Sequence, residues 1–259
     1  MEPRNFKFTV SYDGTAYVGW QFQTSGLAVQ QVLETAIARV LGVRARVTGA
    51  GRTDSGVHAL GQVAGFLAVT DLPAERIMRA LNGILPEDIR VLALEDAPAT
   101  FHAIRDSRWK LYRYCLNDST IPDIFRRAYS WHLRWKLDVP SMQAAGLTLV
   151  GEHDFASFQA ANSPRLTSIR TIHRLVVERV PGDSEQIQIE VTADGFLYNM
   201  VRNIVGTLVL VGRGERRPEW VAEVLAARCR KRAASTAPPH GLFLVEVGFG
   251  DLPAEYQMN

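Results

Sequence analysis

The sequence predicts an α+β protein of two ferredoxin-like lobes (βαββαβ), with antiparallel sheets flanking a central active-site cleft. Three observations carry that expectation. Apolar residues at strand and helix periods alternate over roughly the first hundred residues in the order β-α-β-β-α-β. The same order returns afterwards with longer connections. The length of 259 residues suits two medium domains, and no Gly/Ser-rich linker suggests independent modules. The lobes are expected at 1–101, which carries the richest loop, and at 102–259.

The elements follow in order. Phe6, Phe8, Val10 and Tyr12 alternate with polar partners over 5–12, the pattern of a half-buried strand. Val29, Val32, Leu33, Ala36, Ile37, Val40 and Leu41 recur at helical spacing and stop before Gly42. Strands are expected at 44–48 and 62–69, a helix at 73–85 and an apolar strand at 89–94. In the second half a strand is expected at 107–117 and a helix at 140–150. A hairpin over 169–180 and 186–193 turns at Pro181-Gly182-Asp183-Ser184. Helices at 196–211 and 218–227 and a last strand at 242–247 complete the repeat.

Composition is that of a folded globular chain, with 47% hydrophobic and 22% charged residues. Cys115 and Cys229 form no CxxC pair, so neither a disulfide scaffold nor a cysteine zinc site is expected, and a reducing cytoplasm fits. The six histidines show no close ligand pair, so no metal is expected. The first residues hold no apolar signal core, and the most apolar stretch, 196–212, is broken by Asn199, Arg202 and Asn203, so neither export nor a membrane span is expected.

Net charge is only +2, but 25 of the 29 basic residues are Arg, whose planar fork suits phosphate. They are segregated along the chain. Stretches 102–136 and 202–232 each hold eight Lys or Arg against three acids, whereas 71–99 holds three Arg against six acids. A basic face for a polyanion is one reading, and solvated charge runs are the other.

The richest local sequence is Gly49-Ala50-Gly51-Arg52-Thr53-Asp54-Ser55-Gly56-Val57-His58, between two expected strands. Its glycines leave room for a ligand and let the loop present Asp54. Arg52 stands close enough to favour the carboxylate, since such a neighbour lowers an Asp pKa by about 1–3 units. An ionised Asp needs no separate base to act as nucleophile. The competing reading is an Asx-turn with an Arg-Asp pair, and His58 alone reads as a structural histidine. Other motifs fail: Trp20 stands where a phosphate loop after Gly14 and Gly19 needs Lys, and no GxSxG elbow surrounds Ser55. Tyr112 and Tyr114 share a strand face with Lys110, which suits a stacked nucleobase or a plain core. Arg202 falls on a helix face with Asn199, Asn203 and Gly206, either as a charge partner for a carboxylate or phosphate or as an ordinary helix Arg.

These residues resemble the bacterial tRNA pseudouridine synthase A family over nearly the whole chain. The resemblance rests on Tyr12-Asp13-Gly14-Thr15, Gly19-Trp20-Gln21, Gly51-Arg52-Thr53-Asp54-Ser55-Gly56-Val57-His58, Tyr112-Arg113-Tyr114, Gly151-Glu152-His153-Asp154-Phe155, Met200-Val201-Arg202-Asn203-Ile204-Val205-Gly206 and Gly241-Leu242-Phe243-Leu244. Ser55, Tyr17 and Asn199 depart from the family pattern, where Ala, Phe and His are more usual. The resemblance implies isomerisation of uridine to pseudouridine at positions 38 to 40 of the tRNA anticodon arm, without cofactor or metal. It implies Asp54 as catalytic carboxylate, Tyr112 as base-stacking ring and Arg202 as the partner of that carboxylate. Arg52, His58 and Leu244 are expected to bind substrate. A homodimer contacting tRNA through both subunits is also implied. Two readings from other classes are a non-catalytic RNA-binding protein and an Asp-dependent nucleoside or phosphoester hydrolase.

Overall fold

A computed structural model describes residues 2–160 and 167–257. In chain order its elements begin with β1 (Arg4–Tyr12), α1 (Val29–Leu41), β2 (Thr48–Gly49), β3 (His58–Ala68), α2 (Ala74–Ile84) and β4 (Ile89–Ala97). They continue with β5 (Trp109–Asn117), β6 (Trp131–His132), α3 (Val139–Leu147), β7 (Gly151–Asp154), β8 (Ile169–Val180) and β9 (Asp183–Ala193), and close with α4 (Met200–Gly212), α5 (Trp220–Ala226) and β10 (Leu242–Gly248). The fold is α+β, and the chain divides into two compact units. One is Met1–Ser107 with Phe243–Gly250, the other Arg108–Leu242 with Asp251–Asn259. Among the described residues no helix is long and apolar enough to cross a membrane.

In the first unit β1 runs antiparallel to both β3 and β4, and β2 adds to the far side of β3, giving the order β4-β1-β3-β2 of a ferredoxin-like sheet. The alternation in β1 does what its period predicts: Phe6, Phe8, Val10 and Tyr12 are buried, and the Phe6 ring stacks on its cross-strand partner Phe66 at 5.0 Å. Leu33 and Ile37 of α1 and Ile77 and Leu81 of α2 fill the same core. Gly42 ends α1 in the left-handed region, at φ 70°.

Two features differ from expectation. The strand expected at 44–48 is reduced to Thr48–Gly49. Side chains of α1 take the place of a strand partner, Glu34 accepting from the Val47 N–H at 2.9 Å and Gln30 donating to the Val47 carbonyl at 2.9 Å. The last strand forms where expected but, from Phe243 on, belongs to the first unit. There Phe243 and Leu244 run parallel to His58 and Ala59 of β3, which starts four residues earlier than its apolar run. Gly61 permits the approach, since a Cβ there would lie 2.5 Å from the Val245 carbonyl oxygen.

The second unit is built on the antiparallel order β5-β9-β8-β7, with β6 parallel beside the end of β5. The expected hairpin is present, with Gly182 at φ 81° in its turn. α3 lies so close to β8 that a Cβ at Gly146 would meet Leu175 at 2.4 Å. α4 is almost wholly buried, and it starts at Met200 rather than 196 because Asn199 takes φ 60°, a left-handed conformation that a helix cannot continue through. Beyond the end of β5, the side chain of Asp118 is fully buried and held by Arg179 (2.8 Å), Lys136 (3.2 Å) and the Leu137 N–H (3.0 Å).

Candidate active site

Backbone groups of the loop between β2 and β3 make many of the bonds that hold it. The Ala50 N–H donates to the Val63 carbonyl at 2.7 Å, and the buried Gln62 amide clasps Gly51 twice, donating to its carbonyl (2.7 Å) and accepting from its N–H (3.3 Å). The end of β1 and the chain between β1 and α1 supply further bonds. Trp20 N–H donates to the Thr53 carbonyl at 3.1 Å, Gly56 N–H donates to the Tyr17 carbonyl at 3.3 Å, and the Tyr12 hydroxyl meets Thr53 Oγ1 at 2.7 Å. Burial pushes the Tyr12 hydroxyl far up from its ordinary pKa, so it stays protonated. Within the loop, Val57 N–H donates to the Asp54 carbonyl at 3.1 Å and closes a turn with Gly56 at φ 75°. Gly14 and Gly19 are required by this packing: a Cβ would lie 2.0 Å from the Val57 carbonyl oxygen at the first and 2.6 Å from that of Thr53 at the second. Asp54 is thereby set half-buried at the turn, with Arg52 exposed two residues before it.

His58 and Leu244 lie deeper. His58 is 1% exposed, its Nδ1 accepts from the Gly14 N–H at 3.0 Å and lies 3.1 Å from Asp13 Oδ1, and its ring stacks on Phe243 at 4.7 Å. Leu244 is fully buried beside Ala59. Both residues brace the strand that leaves the Asp54 loop.

Tyr112 and Arg202 belong to the second unit. Tyr112 sits on β5 opposite Val191, is 6% exposed, and meets Phe196 edge-on at 4.9 Å. Tyr114, two residues on, is wholly core, with its hydroxyl donating to the Pro238 carbonyl at 2.7 Å. Arg202 stands in the first turn of α4, where its Nε donates to the Ala237 carbonyl at 2.8 Å and Nη1 to Asn199 Oδ1 at 2.9 Å.

The basic stretches are more occupied than their count suggests. Arg113 binds Glu190 at 2.8 Å, Arg126 binds Asp183 at 2.6 Å, and Arg213 binds Glu215 at 2.6 Å while covering the Trp135 ring at 3.9 Å. Arg230 is a structural cation, donating to the Ala234 carbonyl (2.8 Å), Asn203 Oδ1 (3.0 Å) and Thr236 Oγ1 (3.1 Å). Arg127, Lys231 and Arg232 remain exposed. Sequence reasoning missed the residues that brace the Asp54 loop, chiefly Tyr12, Tyr17 and Gln62. Tyr12 and Gln62 sit in strand runs, where strand periodicity accounts for an apolar or polar residue without naming its partner.

A family model described as tRNA pseudouridine synthase matches residues 9–105 and 145–250. The chain belongs to the tRNA pseudouridine synthase family. It is 43% identical over 244 residues to a tRNA pseudouridine synthase A of Thermoanaerobacter sp. (strain X514), covering 94% of this chain and 99% of that one. It is 45% identical over 246 residues to the protein so named in Pelobacter propionicus, covering 95% and 100%. The value is 46% over 247 residues for that of Myxococcus xanthus, covering 95% and 92%. The family resemblance read from the motifs is thus borne out. Arg52, Asp54, His58, Arg202 and Leu244 lie inside the matched residues, and Tyr112 lies between the two matched stretches.

Proposed function

We propose that Asp54 is the carboxylate with which this tRNA pseudouridine synthase isomerises uridine to pseudouridine at positions 38, 39 and 40 of the anticodon arm. The observation that carries the reading is the braced turn: the backbone on both sides of Asp54 is fixed by hydrogen bonds to neighbouring segments, so the loop holds the carboxylate at a set place. The reaction breaks the bond from ribose C1′ to uracil N1 and forms one from C1′ to C5. C5 loses its hydrogen and N1 gains one, so no redox partner, nucleotide or water is consumed.

Three routes use the same carboxylate: attack on uracil C6, attack on ribose C1′, or proton abstraction that forms a glycal. In each, the target uridine first leaves the stack at a cost of a few kcal/mol, and an aromatic platform offsets about 1–3 kcal/mol of it. Tyr112 is the ring for that job in this reading, and Arg202 supplies positive charge to complement the carboxylate. Arg52, exposed beside Asp54, contacts phosphate or ribose, while His58 and Leu244 shape the site from beneath its loop. The protein works in the cytoplasm as a homodimer whose tRNA touches both subunits.

The test is an assay of purified protein on unmodified tRNA transcript with no added cofactor, reading pseudouridine and free uracil together. Pseudouridine confined to positions 38 to 40, with no free uracil, is the expected result. Free uracil identifies a hydrolase, and binding without either product identifies a non-catalytic RNA-binding protein.

A further inference from the structure

Two donors of the turn that presents Asp54 converge on one carbonyl. Tyr17 offers its backbone oxygen to two donors from that turn, the Gly56 N–H at 3.3 Å and the Ser55 hydroxyl at 3.3 Å. Those are the two residues that follow Asp54 in the chain. Tyr17 is 4% exposed and is itself fixed at both ends: its N–H donates to the Gly14 carbonyl at 3.0 Å, and its hydroxyl donates to Asp88 Oδ1 at 2.7 Å. Asp88 stands just before β4 and holds the start of the same loop as well, because its backbone carbonyl accepts from the Asp13 N–H at 2.9 Å. A single residue outside the loop therefore grips it at positions 13 and 17.

Tyr17 and Ser55 are bonded to each other in this arrangement. A Phe at 17 would keep the ring and the carbonyl but lose the bond to Asp88, and an Ala at 55 would lose the hydroxyl bond to the carbonyl. Both bonds act on the position of the turn. Burial and the Asp88 carboxylate both hold the Tyr17 hydroxyl protonated, so it stays a donor across the working pH range.

We infer that Tyr17 and Asp88 are positioning residues for catalysis: the Asp88–Tyr17 bond sets the carbonyl on which the Asp54 turn is seated. This rests on Asp54 being the catalytic carboxylate. A bond of this kind changes geometry in the bound complex rather than affinity for tRNA, so its loss enters kcat. A misplaced catalytic group is costly even when nothing that touches the substrate is removed.

The experiment measures single-turnover pseudouridine formation, tRNA affinity and melting temperature for Tyr17→Phe, Asp88→Ala, Asp88→Asn and the double variant Tyr17→Phe/Asp88→Ala, with Asp54→Asn alongside. Tyr17→Phe and Asp88→Ala should each slow the chemical step by about three- to tenfold with tRNA affinity unchanged. The double variant should be no slower than the worse single one, since both remove the same bond. Asp88→Asn, which keeps an acceptor oxygen, should recover most of the rate. A parental rate for Tyr17→Phe beside an inactive Asp54→Asn overturns the positioning role and leaves the assignment of Asp54 intact. Additive losses in the double variant, or a rate loss that merely follows melting temperature, overturn it too. An active Asp54→Asn overturns the assignment of Asp54 itself.

Discussion

The turn that carries Asp54 and the helix start that carries Arg202 are both irregular backbone beside regular structure, yet they are held by opposite means. Around Asp54 the struts are backbone groups, glycines and residues from the β1–α1 loop and β3. Around Arg202 the struts are side chains, that of Arg202 included: it binds Ala237 and Asn199, and Arg230 ties Asn203 to Thr236. The difference teaches what each site tolerates. The backbone bonds of the Asp54 loop should outlast loss of its carboxylate, whereas loss of an arginine or ring that also packs removes part of what holds its own segment.

If that contrast holds, the largest mixed effect belongs to Tyr112, buried against Phe196 in the second unit. Tyr112→Ala should lose about ten- to a hundredfold in single-turnover rate from the stacking platform, and also about 3–5 kcal/mol of stability from the emptied site. Tyr112→Phe separates the two. Retention of rate and melting temperature assigns the ring; a loss of rate alone assigns the hydroxyl a proton-transfer step; and parental rates in both variants remove Tyr112 from the site.

A purely structural charge in the same unit sharpens the comparison. Burial opposes ionisation of Asp118, but the Arg179 guanidinium, the Leu137 N–H and the Lys136 ammonium outweigh it and hold its carboxyl below the ordinary range. A depressed folded-state pKa contributes stability that is complete above the unfolded carboxylate value, about 4, and is lost as pH falls below it. Asp118→Asn should melt several degrees lower at pH 7, with the gap to the parent closing toward pH 3. A gap that persists unchanged into acid would assign the loss to packing instead.

The smallest effects divide the basic stretch at 230–232. Arg230→Gln should lower stability by about 1–3 kcal/mol through its lost bonds while leaving the salt dependence of tRNA binding unchanged. Arg232→Gln should leave melting temperature alone and, if that side chain meets phosphate, reduce the log-log salt slope by somewhat under about 1. Equal salt slopes for both variants and the parent would make the whole stretch solvated or structural charge.

Much of this was legible in the sequence, for reasons that also explain the misses. The strands and helices of the first unit follow from strong apolar periods, and the Asp54 loop from its density of Gly, Asp and Ser between two strands. The strand at 44–48 failed because Gln30 and Glu34, 17 and 13 residues upstream in sequence, bind the backbone of Val47, a partnership no local period records. The start of α4 shifted because Asn199 adopts φ 60°, a backbone state that apolar spacing does not record. β6 and β7, at two and four residues, are too short to show a period. Counting charges in 202–232 could not show that Arg230 is consumed by Asn203, Thr236 and Ala234, since those bonds depend on where α4 meets the segment after α5.

The central claim is that the Asp54 carboxylate does the chemistry. It is tested most directly by Asp54→Asn in single turnover on an unmodified tRNA transcript, with affinity and melting temperature measured on the same preparation. The account predicts a rate lower by about a thousandfold or more, in the range that removal of a catalytic carboxylate produces, with tRNA affinity and melting temperature at the parental values. A variant that keeps a tenth of the parental rate, or one whose lost activity is matched by a lost fold, would contradict it.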